Sequence, residues 1–323
     1  MNFTNESVQR EYETLLKIIE KEECAIFIGA GLSKPSGYPS LQDLLHEMAK
    51  VASIDELQKK EVEKHWAEDF QVIKDKLGRE EYRECLKRIF DHTKRDVPYN
   101  PILINILNIP FCAFVTTNFD PCLEFATMNL PISSGRYSYS YPNLPITKLT
   151  DKHIYHPHGY IDPEIPDSVT SIILSQDEFN DAYNVTMVTS AFFNVLFGEL
   201  DVLFVGFGWN DIEILNVLEK TKHLREIGEN IATKRELKLS RERYKFALID
   251  KDTYEKDKNQ ENYIGKLGII PIPYVITENN HHQLIQIIED IQRETSKKSI
   301  SPIPSVPKDF YKLPDINVGD FND

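Results

Sequence analysis

Short apolar runs that stop at a polar turn recur along this chain, and they restrict its fold more than any other feature. Cys24–Ile28 runs into Gly29-Ala-Gly31-Leu-Ser33, and Phe111–Val115 into Thr116-Thr-Asn118-Phe-Asp120. Asp201–Val205 runs into Gly206-Phe-Gly208-Trp-Asn-Asp211. A run of this length without apolar–polar alternation reads as a strand buried on both faces. Ile154–His156, Phe246–Ile249 and Ile269–Ile276 are further strand candidates. The segments between them carry helical spacing. Residues 6–22 place Val8, Tyr12, Leu15, Leu16 and Ile19 on one face, and 40–52 do the same with Leu41, Leu44, Leu45 and Met48. Ser40 and Asp43 form a capping box at the start of the second. Strands alternating with helices predict an α/β fold, a parallel sheet with helices on both faces.

The rest of the chain fits around that frame. Residues 54–109 are charged and mostly helical in pattern, with Tyr82, Leu86, Ile89 and Phe90 as a stripe and Pro110 as the stop. Residues 131–150, rich in Pro, Ser and Tyr, predict a long loop. Helices are expected from Pro121, over 181–200, over Ile212–Lys220 and over 279–294. Beyond Thr295, Pro302, Pro304, Pro307 and Pro314 oppose regular structure, so 295–323 reads as a tail.

Charge and cysteine usage remove several classes. Acidic residues outnumber basic ones 51 to 37, a net charge of −14, so a broad nucleic-acid surface is not expected. The first residues show no basic segment leading into an apolar one, and no apolar run approaches the ~18–20 residues that span a bilayer. A cytoplasmic protein with no membrane partner is expected. Cys24, Cys85, Cys112 and Cys122 form no Cys-x-x-Cys pair, so no zinc is expected, and Cys24 and Cys112 read as buried thiols.

Ligands of open α/β sheets bind beyond the carboxyl ends of the strands, which is where this chain keeps its polar turns. Only 13 of 323 residues are glycine, yet six of them are Gly29, Gly31, Gly37, Gly159, Gly206 and Gly208. Gly29-Ala30-Gly31 suits a diphosphate held by backbone N–H groups, or simply a tight turn. Asp120 reads as a ligand group or as the cap of a helix beginning at Pro121. Asn118 reads as a group that satisfies local backbone or one that orients a sugar hydroxyl or a water. His156-Pro-His158-Gly159, with His153 before it, offers a general base, a metal ligand or loop histidines bonded locally. No nearby thiol or carboxylate completes a metal set, and no metal is expected. Asn210 or Asp211 could cap the helix that follows, or face a ribose or phosphate.

These segments, in this order, resemble the sirtuin superfamily, specifically its bacterial SIR2-like domains, over roughly residues 10–290. Ile28-Gly-Ala-Gly-Leu-Ser33 looks like the family's Gly-Ala-Gly-x-Ser, Thr116-Thr-Asn118-Phe-Asp120 like its Thr-x-Asn-x-Asp box, and His158-Gly159 like its His-Gly pair. Gly206-Phe-Gly208 with Asp211 looks like its glycine-rich turn at the adenosine ribose. The resemblance implies a Rossmann-like NAD-binding domain over 1–294, with a smaller helical insertion at roughly 41–109. It implies Asn118 and His158 as catalytic residues. It implies binding residues at Gly29, Ala30, Gly31, Ser33, Thr116, Thr117, Asp120, Gly206, Gly208 and Asp211. The chain departs from protein deacetylases: it lacks their cysteine-paired zinc ribbon, and their Gly-x-Pro-Asp-Phe-Arg loop reads Gly37-Tyr-Pro39-Ser-Leu-Gln42. The expectation is an NAD glycohydrolase, NAD being its substrate, of the kind that depletes NAD in anti-phage defence by abortive infection. It is regulated as a homo-oligomer or by a separately encoded partner, with the tail as a candidate contact. The alternatives are an NAD-dependent deacylase or ADP-ribosyltransferase, and a non-catalytic subunit binding NAD or ADP-ribose.

Overall fold

A computed structural model describes residues 3–296 apart from residues 4, 62–65, 132–134, 148, 150, 163–164, 210–211, 235–241, 260–261 and 278–280. The tail beyond Ser296 therefore lies outside the described residues, as does Asp211. The first half of the chain forms α1 (Glu6–Glu20), β1 (Cys24–Ile28), α2 (Leu41–Val51), α3 (Trp66–Leu77), α4 (Arg79–Ile89), α5 (Ile102–Asn108), β2 (Ala113–Thr116), α6 (Cys122–Thr127), β3 (Ser138–Ser140) and β4 (Ile154–His156). The second half forms α7 (Gln176–Asn180), α8 (Val188–Glu199), β5 (Asp201–Val205), α9 (Ile212–Lys234), β6 (Lys245–Asp250), α10 (Lys251–Asn259), α11 (Tyr263–Lys266), β7 (Ile269–Tyr274) and α12 (His282–Thr295).

The seven strands make one parallel sheet in the order β3-β4-β2-β1-β5-β6-β7. Every residue of β1, β2 and β5 is buried, so helices cover both faces at the centre of the sheet. This is a Rossmann-like α/β fold. One group of helices consists of α1, α5 and α12, tied by the Tyr12 hydroxyl donating to Asp290 Oδ2 at 2.7 Å. Another consists of α8 and α9, where Phe193 and Phe197 meet Phe27 and Phe204 of the central strands. Within 41–109, α2, α3 and α4 pack on one another, whereas α5 packs on α12 and α6.

The capping box holds as read: Ser40 Oγ accepts the Asp43 N–H, and Asp43 Oδ2 accepts the Ser40 N–H at 3.0 Å. The expected loop at 131–150 is corrected. Ser138–Ser140 forms the edge strand β3, in register with β4, where Tyr139 stacks on Tyr155. Three residues paired on one side only leave no apolar run for a sequence to display. The expected strand at Phe111 begins at Ala113 and reaches Thr116. The helix expected over 181–200 is divided: Asp181–Val185 is a π-helical turn, and Met187 takes a left-handed conformation (φ 57°) before α8.

β1 and β5 lie side by side, and chain order reverses there: β2 lies on one flank of β1 and β5 on the other. This is the switch point at which α/β sheets open a crevice. Gly29 N–H donates to Val205 O at 2.9 Å and Gly31 N–H to Gly206 O at 3.1 Å. A Cβ on Gly29 would stand 2.2 Å from the Gly206 carbonyl oxygen, whereas one on Gly208 would meet nothing within 4 Å. Gly29→Ala is expected to destabilise the protein by about 2–3 kcal/mol and Gly208→Ala by well under ~1 kcal/mol, measured by denaturant titration.

Candidate active site

Beyond the carboxyl ends of the central strands lies a cleft of about 540 Å³. Gly29, Ala30, Gly31, Thr117, Asn118, Asp120, His158, Gly206 and Gly208 all line it, so turns separated by up to 179 positions (Gly29 to Gly208) converge on one space. Two expected binding residues stand behind it instead. Thr116 is buried; its Oγ1 donates to Ile28 O at 2.7 Å and accepts the Asn118 N–H at 3.1 Å. Ser33 is buried, and its Oγ accepts from Asn118 Nδ2 at 3.0 Å. Both hold Asn118, and neither lines the cleft. Asn118 is thereby fixed at backbone and side chain.

The turn after β1 spends most of its N–H groups within the protein. The N–H groups of Gly29 and Gly31 are spent on β5, and those of Leu32 and Ser33 on Gly29 and Ala30 carbonyls. Ala30 lines the cleft, and its N–H has no protein acceptor among the described residues. Gly29 is therefore required first by the contact with β5.

Asp120 caps a helix and also lines the cleft. Its Oδ1 accepts the Cys122 N–H at 3.1 Å, capping α6, while the residue lines the cleft. Burial raises its pKa against the hydrogen bonds from Cys122 and Ser33 that lower it.

The three histidines part company. His153 Nδ1 accepts the Tyr137 N–H at 3.2 Å on the sheet edge. His156 is buried with Nε2 2.9 Å from Glu124 Oε1, stacked on Tyr160 at 4.2 Å. Burial alone would raise the Glu124 pKa, but the His156 beside it holds it below the usual value. His158 alone of the three reaches the cleft. Gly159 makes this turn feasible: its φ is +80°, and a Cβ there would stand 2.2 Å from Ser171 O. His158 O accepts the Ile173 N–H at 2.9 Å on the other side. Among the described residues no group of three or more His, Cys, Asp or Glu is placed to hold a metal ion. All four cysteines are buried and free.

His158 is enclosed by aromatic rings: Phe179 at 5.1 Å, Tyr183 at 5.9 Å and Phe193 at 6.2 Å. Its Nε2 is 2.7 Å from the Tyr183 hydroxyl. Burial in this cage lowers its pKa to about 3, so the ring is neutral at pH 7. Such an imidazole donates and accepts hydrogen bonds but does not hold a proton near neutrality. The cage continues into the helical stretch: Trp66 of α3 packs on Phe179 at 5.2 Å, and Lys74 Nζ bridges to Asp177 Oδ1 and Glu178 Oε1, both at 2.8 Å.

The cleft has walls that the motifs did not flag. Gln42, Trp66 and Phe90 line it from the helical stretch, Asp250 and Tyr274 from the ends of β6 and β7, and Thr253 from the first turn of α10. Asp250 carried a readable signal, since it closes an apolar run at a strand's carboxyl end. Trp66 and Phe90 carried none, because a helical aromatic reads as core.

The fold and the cleft define a Rossmann-like α/β protein with a polar-lined cleft at the switch point. Residues 112–272 match the family described as SIR2-like domain. It is 23% identical over 303 residues to the NAD(+) hydrolase ThsA of Bacillus cereus (strain MSX-D12), covering 92% of this chain and 59% of that protein. It is 25% identical over 304 residues to the NAD(+) hydrolase ThsA of Enterococcus faecium, covering 87% and 58%. The NAD(+) hydrolase ThsA of Acinetobacter baumannii (strain 532279) is 26% identical over 214 residues, covering 65% and 41%. The chain thus spans less than two thirds of the length of these relatives. Among the described residues no helix is long and apolar enough to cross a membrane.

The neutral His158 has a thermodynamic signature. Its folded pKa lies below the unfolded value near 6.5, so the unfolded chain binds the extra proton, and stability is lost as pH falls from about 6.5 towards about 3. The stability of the wild type relative to His158→Gln should fall by up to about 1.4 kcal/mol per pH unit across that window. Denaturant titrations at several pH values measure it; a gap that does not vary with pH contradicts the neutral ring.

Proposed function

We propose that this chain is an NAD glycohydrolase, converting NAD and water to nicotinamide, ADP-ribose and a proton. The observation that carries the reading is the convergence of Gly29–Gly31, Asn118, His158 and Gly206–Gly208 on one cleft at the switch point. The similarity to three NAD(+) hydrolases named ThsA supports the same chemistry.

The C1′–N bond breaks through an oxocarbenium-like transition state. Nicotinamide leaves as a neutral molecule from a cationic one, so no strong acid is needed. The cation left behind is reactive enough that the water attacking it needs placing more than deprotonating, and its proton is lost after attack. The site's task is to hold the dinucleotide, exclude bulk water and present one water at the anomeric carbon. A ring with its pKa lowered to about 3 favours His158 as partner of a ribose hydroxyl over His158 as general base. Asn118, held by Ser33 and Thr116, positions the ribose and the water. Asp120 faces the carboxamide from the same turn, with Ala30 and Gly206–Gly208 along the diphosphate and the second ribose.

The wider role we propose is an NAD-depleting effector of anti-phage defence, acting in the cytoplasm and ending infection at the host's expense. Restraint of such an activity calls for a homo-oligomer or a separately encoded partner, and the segment from 295 to 323 is the candidate contact. Gel filtration of a chain ending at Ser296 should give a smaller assembly than the full chain; an unchanged elution volume removes the segment from that role.

The direct test is chromatography of nicotinamide and ADP-ribose after incubation with NAD, with and without phage-infected lysate. Both products should form without any acyl peptide, and His158→Ala and Asn118→Ala should each lower turnover by about 100-fold or more. Because burial lowers the His158 pKa to about 3, kcat/KM should be flat from pH 6 to 8 if His158 is not the base. An inflection near 6.5 that disappears in His158→Ala would restore the general base.

A further inference from the structure

His156 does not line the cleft, yet two of the turns that do are joined through it. It is the last residue of β4, two positions before His158, and its side chain is fully buried. Its Nε2 is 2.9 Å from Oε1 of Glu124, which lies in the first turn of α6, the helix that Asp120 caps. The carboxylate accepts, so the His156 Nε2–H donates. Ser138 Oγ of β3 donates to the same Oε1 at 2.5 Å.

The pair is poorly satisfied for buried charge. Glu124 Oε2 and His156 Nδ1 have no hydrogen-bond partner among the described residues. Such a pair offsets little of its desolvation cost, and apolar groups of similar size often replace one without loss of stability. What it supplies is direction: a hydrogen bond fixes a distance and an angle, which apolar packing does not.

The two elements it joins carry the two residues assigned to the reacting ribose. α6 follows the Asn118 turn, and β4 runs into the His158 turn. A second bond crosses on the other side of His158, where the Ile161 N–H donates to Phe119 O at 2.8 Å. His158 is thus bracketed, with Glu124–His156 before it and Phe119–Ile161 after it. One bond alone is a pivot; two keep the turns from rotating past each other. Tyr160 closes the bracket by stacking on His156 at 4.2 Å, its hydroxyl donating to Asp162 Oδ2 at 2.6 Å.

We infer that Glu124 and His156 are positioning residues for NAD cleavage: their bond fixes the Asn118 turn against the His158 turn, so that both side chains meet the same ribose. The inference rests on the reading of the cleft as an NAD site, and it adds a pair that acts without touching the dinucleotide.

The test compares folding, binding and turnover in the full chain. Glu124→Leu/His156→Phe replaces the pair by apolar groups and keeps a ring on Tyr160. This double variant should unfold near the wild-type denaturant concentration and bind ADP-ribose within about threefold of the wild type. Its kcat for NAD should fall by about tenfold or more, with KM within about threefold. Glu124→Gln keeps an acceptor for His156 Nε2 and should hold kcat within about threefold of the wild type. His156→Gln, whose amide still donates to Glu124, should likewise outpace His156→Leu, which cannot donate. A double variant with wild-type kcat, or one that loses ADP-ribose affinity as much as turnover, overturns the inference and leaves the NAD site standing. So does equal kcat in His156→Gln and His156→Leu, whether or not the double variant folds. A wild type that does not hydrolyse NAD, with or without phage-infected lysate, overturns the NAD reading and the inference with it.

Discussion

The molecule depends on how closely the turn after β1 approaches the turn after β5. The two are bonded at Gly29 to Val205 and at Gly31 to Gly206, with no room for a side chain at Gly29. Gly206 itself has φ +68° and packs against Leu32. That approach sets the floor of the cleft and aims the turns on either side of it. It also accounts for glycine being placed where the sequence shows it, for a reason that precedes any ligand. The backbone must close there before a diphosphate can be offered anything.

From this floor the site is assembled by supports rather than by exposed groups. Asn118 is held by two buried hydroxyls, one on the β1 turn and one at the end of β2. His158 is held by Tyr183 and by three rings that keep water from it. Phe179 links that cage to Trp66, and Lys74 pins α7 to α3, so the position of the helical stretch bears directly on the histidine. A neutral, desolvated imidazole is poorly suited to taking a proton and well suited to a fixed hydrogen bond. That preference agrees with a leaving group that departs without acid and an electrophile that needs no strong base.

Much of this was legible beforehand. Short runs such as Cys24–Ile28 and Val202–Val205, each closed by a glycine turn, read as central strands, and their carboxyl ends located the cleft. The capping box of α2 was readable because both partners are local. What stayed hidden was nonlocal. Ser138–Ser140 becomes a strand only because β4 is there to pair with it. Tyr183 meets His158 because a π-helical turn places it, and no periodicity announces such a turn. Ser33 and Thr116 looked like ligand residues because their motifs do; their hydroxyls turned out to be aimed at protein atoms.

The proposed chemistry requires one placement of NAD: the nicotinamide ribose at Asn118 and His158, with the diphosphate along Ala30 and Gly206–Gly208. A crystal structure of His158→Ala bound to NAD measures it directly. The expected result is the anomeric carbon beside a water held by Asn118, with the diphosphate along Ala30 and Gly206–Gly208. A dinucleotide bound in the reverse direction, or outside the cleft between the β1 and β5 turns, would contradict it.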